Sequence, residues 1–242
     1  MAKKFNEISV IIPIYKDEKR LKNNLPKIRK YLENNFKKFE IIIALDPPAG
    51  NTEKTAKNIF KNVKIVKNKR RMGKGYSIKE GMLKAVYSPV LFIDIDLSTP
   101  VEEIDILLPY LKKNHVIIGS RNMQESKIKE RQPFLRSALG NIYPYLVRLL
   151  VIKDIRDTQC GFKLFRKDIL KPVFSLQRIG GFAFDSEILL IAKKRGYKIK
   201  EVPVEWSNSK DSRLNIVKDS LRMAVDVIKI FTNTKRGFYD GN

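Results

Sequence analysis

The chain is poor in the residues on which several kinds of chemistry depend. Its 242 residues include one cysteine, Cys160, and one histidine, His115. A lone cysteine cannot close an internal disulfide, so a reducing compartment is the expected setting. A single histidine argues against a histidine-built zinc site or a histidine-dependent catalytic triad. No apolar run reaches the roughly 18 residues of a bilayer-spanning helix, and the residues before Phe5 carry no apolar signal core. Glycine and proline number only 12 and 11, and hydrophobic residues make up 43%, which together exclude a disordered or fibrous chain. Acidic residues are scarce as well: 26 Asp+Glu against 49 Lys+Arg leave a formal charge of +23. That surplus calls for an anionic partner, whether nucleic acid, a phosphorylated ligand or a membrane surface.

What is present alternates. Ile8–Ile14 is an Ile/Val-rich run of the kind buried in parallel sheets, expected to stop at Pro13. Leu21, Leu25, Ile28 and Leu32 then recur at helical spacing across Asp17–Asn34. Glu40–Leu45 reads as a second strand, ended by Pro47-Pro48-Ala49-Gly50. Helices are expected over Thr52–Phe60, Tyr76–Tyr87 and Val101–Lys112, and strands over Val63–Val66, Val90–Ile95 and Val116–Ser120. Strands separated by helices of this length predict an α/β fold with a mostly parallel sheet covered on both faces. Ligands of such sheets sit at the carboxyl ends of the strands. Further on, Phe134–Ile152 mixes apolar, aromatic and basic residues around Pro144, and Asn215–Phe231 is amphipathic. Both segments can pack on the sheet, or present basic residues to lipid headgroups.

Two clusters carry chemistry. Asp94-Ile95-Asp96 closes a hydrophobic strand, and two carboxylates so placed suit a hard, oxygen-seeking cation shared with a ligand's phosphates. Taken alone, the same tripeptide is compatible with a solvated turn. Arg70-Arg71-Met72-Gly73-Lys74-Gly75 precedes a helix, where glycine amides, a helix N-terminus and cations suit a diphosphate. It lacks the spacing of a P-loop.

In order along the chain, these features resemble the family 2 glycosyltransferases of GT-A fold, and among them the dolichyl or polyprenyl phosphate sugar synthases, most closely the dolichyl-phosphate β-glucosyltransferases. The opening Ile8-Ser9-Val10-Ile11-Ile12-Pro13-Ile14-Tyr15-Lys16-Asp17-Glu18 is similar to that family's first strand and nucleotide loop. Arg71-Met72-Gly73-Lys74-Gly75 and Asp94-Ile95-Asp96 match its Arg-x-Gly-Lys-Gly and metal-binding Asp-x-Asp segments. Gly119-Ser120-Arg121 and Gln132-Pro133-Phe134-Leu135-Arg136 resemble its arginine-bearing acceptor loop. Asp157 to Phe165, Phe182 to Glu187, Val202 to Trp206 and Ser212-Arg213-Leu214 complete the pattern. One departure stands out: Leu45 occupies the first position of a pair that is commonly two aspartates, leaving Asp46. A leucine side chain accepts no hydrogen bond from a nucleotide base, so backbone groups or Asp46 must serve.

The resemblance implies a Rossmann-like GT-A catalytic domain over residues 1–214, with an acceptor loop at about 121–136, and a C-terminal amphipathic helix and tail over 215–242. It implies a nucleotide-diphosphate sugar as donor, UDP-glucose before GDP-mannose, and a dolichyl or polyprenyl phosphate as acceptor. Pro13, Tyr15, Glu18, Asp46, Arg71, Lys74, Asp94, Ile95 and Asp96 would bind the donor. Asp96, Asp94 and Ser98 would hold Mg²⁺ or Mn²⁺. Arg121, Arg136 and Arg213 would bind the acceptor phosphate, and Asp94, Asp96, Arg136 and Asp157 would carry catalysis. A phosphate monoester has a second pKa of about 6, so it can attack without a base removing a proton. In-line displacement would invert the anomeric centre. Asp157, Asp185 and Glu187 can instead orient the sugar or the arginines, or act as base toward a hydroxyl acceptor. Two alternatives remain open: transfer to a glycan or protein hydroxyl, and a basic nucleic-acid-binding protein, although no zinc finger, RNA-binding aromatic motif or dense basic helix occurs. Attachment would be peripheral, at the cytoplasmic face of an anionic membrane. Cys160 is expected to be a small buried thiol and His115 a surface residue.

Overall fold

The computed structural model describes residues 5–130, 143–208 and 216–240. Strand β1 (Phe5–Ile14) shows why the first run of β-branched residues is so uniform: Ile8 to Ile12 are all buried, with sheet neighbours on both edges and cores on both faces. Its alternation sends Ile8, Val10, Ile12 and Ile14 into one core and Ile11 into the other. Helix α1 (Glu18–Asn35) buries Leu21, Leu25, Ile28 and Leu32 against the first of these. Strand β2 (Phe36–Leu45), α2 (Thr52–Ile59), β3 (Lys64–Lys67), α3 (Lys74–Leu83) and β4 (Val90–Ile93) complete the first half. β1 continues through Pro13 to Ile14, since β1's last residues still pair with β2.

The helix expected over Val101–Lys112 is three short pieces: a 3₁₀ turn, α4 (Ile104–Leu107) and a second 3₁₀ turn over Leu108–Lys112. Pro109 has no N–H to continue an α-helical ladder. There follow β5 (Val116–Ser120), β6 (Lys127–Glu130), α5 over residues 143–150, and β7 (Phe162–Phe165). The chain ends in α6 (Leu170–Phe174), α7 (Phe184–Lys194), β8 (Ile199–Pro203), β9 (Glu205–Ser207) and α8 (Ile216–Lys235).

Seven strands form one sheet in the order β3-β2-β1-β4-β7-β5-β8. All its pairs are parallel except those of β7, which runs antiparallel between β4 and β5. This reversal places the start of β7 beside the end of β4. On one face, α1, α2 and α4 cover the sheet; on the other lie α3, α5, α6, α7 and α8, with Val227, Ile230 and Tyr239 in the core there. A separate ribbon pairs β6 with β9 in parallel. Because β2 lies on one side of β1 and β4 on the other, a crevice opens at their carboxyl ends, the position where open α/β sheets bind ligands.

Candidate active site

That crevice is a cleft of about 600 Å³. The end of β1 contributes Pro13, Ile14 and Tyr15, the end of β2 Asp46, and the end of β4 Asp94, Ile95 and Asp96. Arg71 enters from the loop before α3, Lys74 from the first position of α3, Arg20 from α1, and Asp219, Arg222 and Asp226 from α8. Eight expected donor residues therefore meet in one place: Pro13, Tyr15, Asp46, Arg71, Lys74, Asp94, Ile95 and Asp96. Glu18 does not join them. Its carboxylate accepts from Thr55 Oγ1 at 2.9 Å and pairs with Lys22, on the side of α1 that faces α2.

The Asp-x-Asp turn is tightly specified. Asn24 Nδ2 donates to Ile95 O at 2.8 Å, the backbone N–H of Ser98 donates to Asp96 Oδ1 at 3.0 Å, and Leu97 takes a φ of 51°. A left-handed leucine costs energy and persists only where its surroundings enforce it. Burial, reinforced by the neighbouring Asp94, raises the Asp96 carboxyl above the ordinary aspartate range. Lys74 Nζ lies 2.7 Å from Asp94 Oδ1, and the pull of Asp94 and Asp185 holds its charge against burial. Two hard carboxylates at one strand end fit a divalent cation. Among the described residues no three His, Cys, Asp or Glu side chains gather to enclose one. The remaining ligands would therefore be phosphate oxygens of a bound donor. Ser98, the third expected ligand, is not in the cleft lining; its carbonyl receives the N–H of Ser207.

The glycine-rich loop works differently from the expectation. Its amides do not wait for a diphosphate: Met72 and Gly73 donate theirs to Asp46 at 2.8 and 3.0 Å, and Gly75 and Tyr76 donate to Gly180 O at 2.8 and 3.3 Å. Gly73, at a φ of 94°, lies so close to Gly180 that a side chain there would meet its carbonyl at 2.4 Å. Asp46, also bonded by Asn68 Nδ2 at 3.1 Å, is thus a clamp on this loop, whose cations Arg71 and Lys74 line the cleft. Arg71 stands 4.5 Å from the centroid of the Tyr15 ring, a cation–π contact that ties the loop to the end of β1. Leu45 is 1% exposed and belongs to the core. It is not in the cleft lining.

Asp157 and Arg121 hold each other. Nε and Nη2 of Arg121 donate to the two carboxylate oxygens at 2.7 and 2.8 Å, the Arg121 N–H adds a third bond at 2.9 Å, and the guanidinium lies 5.5 Å from the Trp206 ring centroid. Most of the Arg121 fork is therefore spent on Asp157, and neither residue is in the cleft lining. Burial opposes ionisation of Asp157, but Arg121 outweighs it and holds the carboxyl below the ordinary range. With the folded value depressed, the contribution of Asp157 to stability is present above the unfolded pKa of about 3.9 and is lost as pH falls through the folded one. Asp157→Asn is expected to cost about 1.5–3 kcal/mol at pH 7. In urea unfolding at a series of pH values, the gap to the wild type should close below about pH 4; a constant gap would refute the assignment.

Arg136 and Arg213 lie outside the described residues. Cys160 is buried, and burial, then Asp157, pushes its thiol up to about 11, an inert packing group as expected. His115 is half-buried, its Nδ1 accepting the Lys198 N–H at 3.1 Å, which makes it part of the join between β5 and β8. Sequence reasoning missed Arg20 and the α8 residues Asp219, Arg222 and Asp226 as cleft components. The amphipathic pattern of α8 marks them as polar without saying which way that side faces.

Three comparisons bear on this architecture. Residues 9–174 match the family described as glycosyl transferase family 2. The chain is 34% identical over 241 residues to a dolichyl-phosphate beta-glucosyltransferase of Trichomonas vaginalis, covering 92% of this chain and 72% of that one. It is 30% identical over 244 residues to the dolichyl-phosphate beta-glucosyltransferase of Homo sapiens, covering 93% and 74%. Among solved structures, glucosyl-3-phosphoglycerate synthase from Mycobacterium tuberculosis in complex with UDP superposes with a TM-score of 0.69 at 16% identity, over 95% of this chain and 80% of that one. The same enzyme, in complex with Mn²⁺, UDP-glucose and glycerol 3-phosphate, superposes equally well, at 0.69 and 15% identity over 93% and 80%. These structures share the GT-A fold. An Asp-x-Asp at the strand end, cations across the cleft and a family match spanning both agree on one conclusion: the chain is an enzyme of glycosyl transferase family 2.

Proposed function

We propose that this glycosyltransferase moves glucose from UDP-glucose to a dolichyl or polyprenyl phosphate, with inversion at the anomeric carbon. The names of the relatives support the sugar and the acceptor. One observation on this chain supports the acceptor class independently: the three acids that would serve a hydroxyl acceptor as base are all committed elsewhere. Asp157 holds Arg121, and Asp185 pairs with the buried Lys163. Glu187 accepts the N–H groups of Arg178 and Ile179 at 3.0 and 2.8 Å and the Tyr239 hydroxyl at 2.6 Å. An acceptor that arrives as a phosphate dianion needs no proton removed.

In this reading Asp94 and Asp96 hold Mg²⁺ or Mn²⁺, which when bound neutralises charge on the departing diphosphate. Lys74, Arg71 and Arg20 add fixed positive charge around the same oxygens. Tyr15, Pro13 and the backbone at the ends of β1 and β2 line the nucleotide's end of the cleft. Arg121, steadied by Asp157, with Arg136 and Arg213, orients the acceptor phosphate in line with the sugar–phosphate bond, a positioning role. β6 and β9 run parallel, so the chain leaves for Arg136 and for Arg213 from the same end of that ribbon.

The lipid explains an otherwise wasteful surface. Leu221 on α8 and Tyr145 on α5 are each 68% exposed, and Leu149, Val225 and Ile228 are exposed beside them in sequence, with Arg148, Lys218, Arg222 and Lys229 at hand. Among the described residues no helix is long and apolar enough to cross a membrane. These exposed faces would rest in the headgroup layer of an anionic membrane. The test is a panel of labelled nucleotide sugars with polyprenyl phosphate and either metal. Label from UDP-glucose should pass into the organic phase, and more protein should float with anionic vesicles at low salt than at high. Label reaching only soluble glycan acceptors would overturn the acceptor assignment.

A further inference from the structure

Gly161 lies directly across from Asp94. β4 and β7 pair antiparallel with Ile93 opposite Phe162, and one step beyond, the Asp94 N–H donates to Gly161 O at 3.1 Å. Facing residues on adjacent strands project to the same side of a sheet. A side chain on Gly161 would therefore enter the space of the Asp94 carboxylate. The distances are decisive: a Cβ at 161 would fall 1.9 Å from Asp94 Oδ2, 2.6 Å from its Cγ and 3.2 Å from its Cβ. Conformation does not require glycine here, because Gly161 is not among the positive-φ residues. What the position requires is emptiness.

The Asp94 carboxylate is open on its cleft side and held from the protein side. Lys74 Nζ holds it at 2.7 and 2.9 Å. On the same face of the sheet, Phe92 lies between two ammonium groups, Lys74 and Lys163, each 5.3 Å from its ring centroid. Lys163 is fully buried and bound to Cys160 O and Asp185, so the floor beneath cannot yield. A methyl group at 161 can be accommodated only if the carboxylate moves.

We propose that Gly161 is a positioning residue whose missing side chain keeps the Asp94 carboxylate at the orientation the metal-bound donor needs. This rests on the reading of Asp94 as a metal ligand, and the test separates the two. Four proteins are compared: wild type, Gly161→Ala, Asp94→Ala and the double variant. Thermal unfolding is measured without metal or nucleotide, and UDP binding is measured by calorimetry with and without Mn²⁺. Overpacking by one methyl should lower the Tm of Gly161→Ala by about 5 °C. In the Asp94→Ala background, which removes the two closest atoms, most of that loss should vanish. If Gly161→Ala does not fold at all, the double variant should. Mn²⁺-dependent UDP binding should weaken about tenfold in Gly161→Ala, with metal-free UDP binding unchanged. Equal Tm losses in both backgrounds, both variants failing to fold, or unaltered Mn²⁺-dependent binding in Gly161→Ala would overturn the proposal. If instead the Tm losses couple but Asp94→Ala binds UDP with Mn²⁺ as the wild type does, the steric assignment stands and the metal reading of Asp94 falls.

Discussion

Asp96→Ala should reduce transfer by at least about a thousandfold, the scale of losing one fixed electrostatic partner of the developing charge, while leaving the fold intact. The structure supports both halves. Asp96 sits in the cleft beside Asp94, at the end of β4. Its carboxylate accepts the Ser98 N–H, on a loop that Asn24 pins separately through Ile95 O. Burial and the nearby Asp94 already disfavour its charged form. Removing it relieves that repulsion, so the Tm should stay level or rise slightly. Initial rates across an Mn²⁺ titration, alongside thermal unfolding, provide the check. Near-normal rates at saturating metal would remove Asp96 from the machinery, and a large fall in Tm would recast it as a structural residue. Asp94→Ala should be equally inactive but less benign, because it leaves Lys74 in a partly buried site without its carboxylate.

The residues that this prediction concerns are legible in the sequence alone, and the reason is local. A buried parallel strand must be apolar throughout, so Phe92-Ile93-Asp94 announces both the strand and the point where it meets solvent. The same logic exposed β1, β2 and α1. It failed where an answer depended on a distant partner. Gly73 and Gly75 look like an anion cradle until Asp46 takes the amide of the first and Gly180, more than a hundred residues away, that of the second. Glu18 stands next to the nucleotide loop in sequence, yet as the first residue of α1 it bonds Thr55 on α2. Phe162-Lys163-Leu164-Phe165 gives no sign of its direction, and only its antiparallel pairing brings Gly161 against Asp94. Arg121 reads as a free phosphate ligand because nothing local reveals that Asp157 occupies most of its fork. Side chains at strand ends were legible; the assignment of polar groups to one another was not.

The largest effect on stability is expected at Lys163, a lysine fully buried within the sheet. Its ammonium bonds Asp185 and the carbonyl of Cys160, the latter at 2.6 Å, and faces the Phe92 ring. Burial pushes the Asp185 carboxyl upward, and the attraction of Lys163 and Lys74 reduces that push without cancelling it. The pair is therefore a costly arrangement held together by mutual dependence. Lys163→Met should cost about 3–5 kcal/mol, because it leaves Asp185 buried without its partner. Asp185→Leu should cost a similar amount for the reciprocal reason. Replacing both together removes both charges and fills the space with apolar groups, which in comparable sites is often neutral or stabilising. The double variant should then be more stable than either single one. Urea unfolding of the four proteins measures the coupling directly. Additive losses would mean that the two residues act separately and that Lys163 is held by Cys160 O and Phe92 alone. The double variant should still transfer more slowly than the wild type, because Asp185 also steadies Lys74, which stands against Asp94 at the metal end of the cleft.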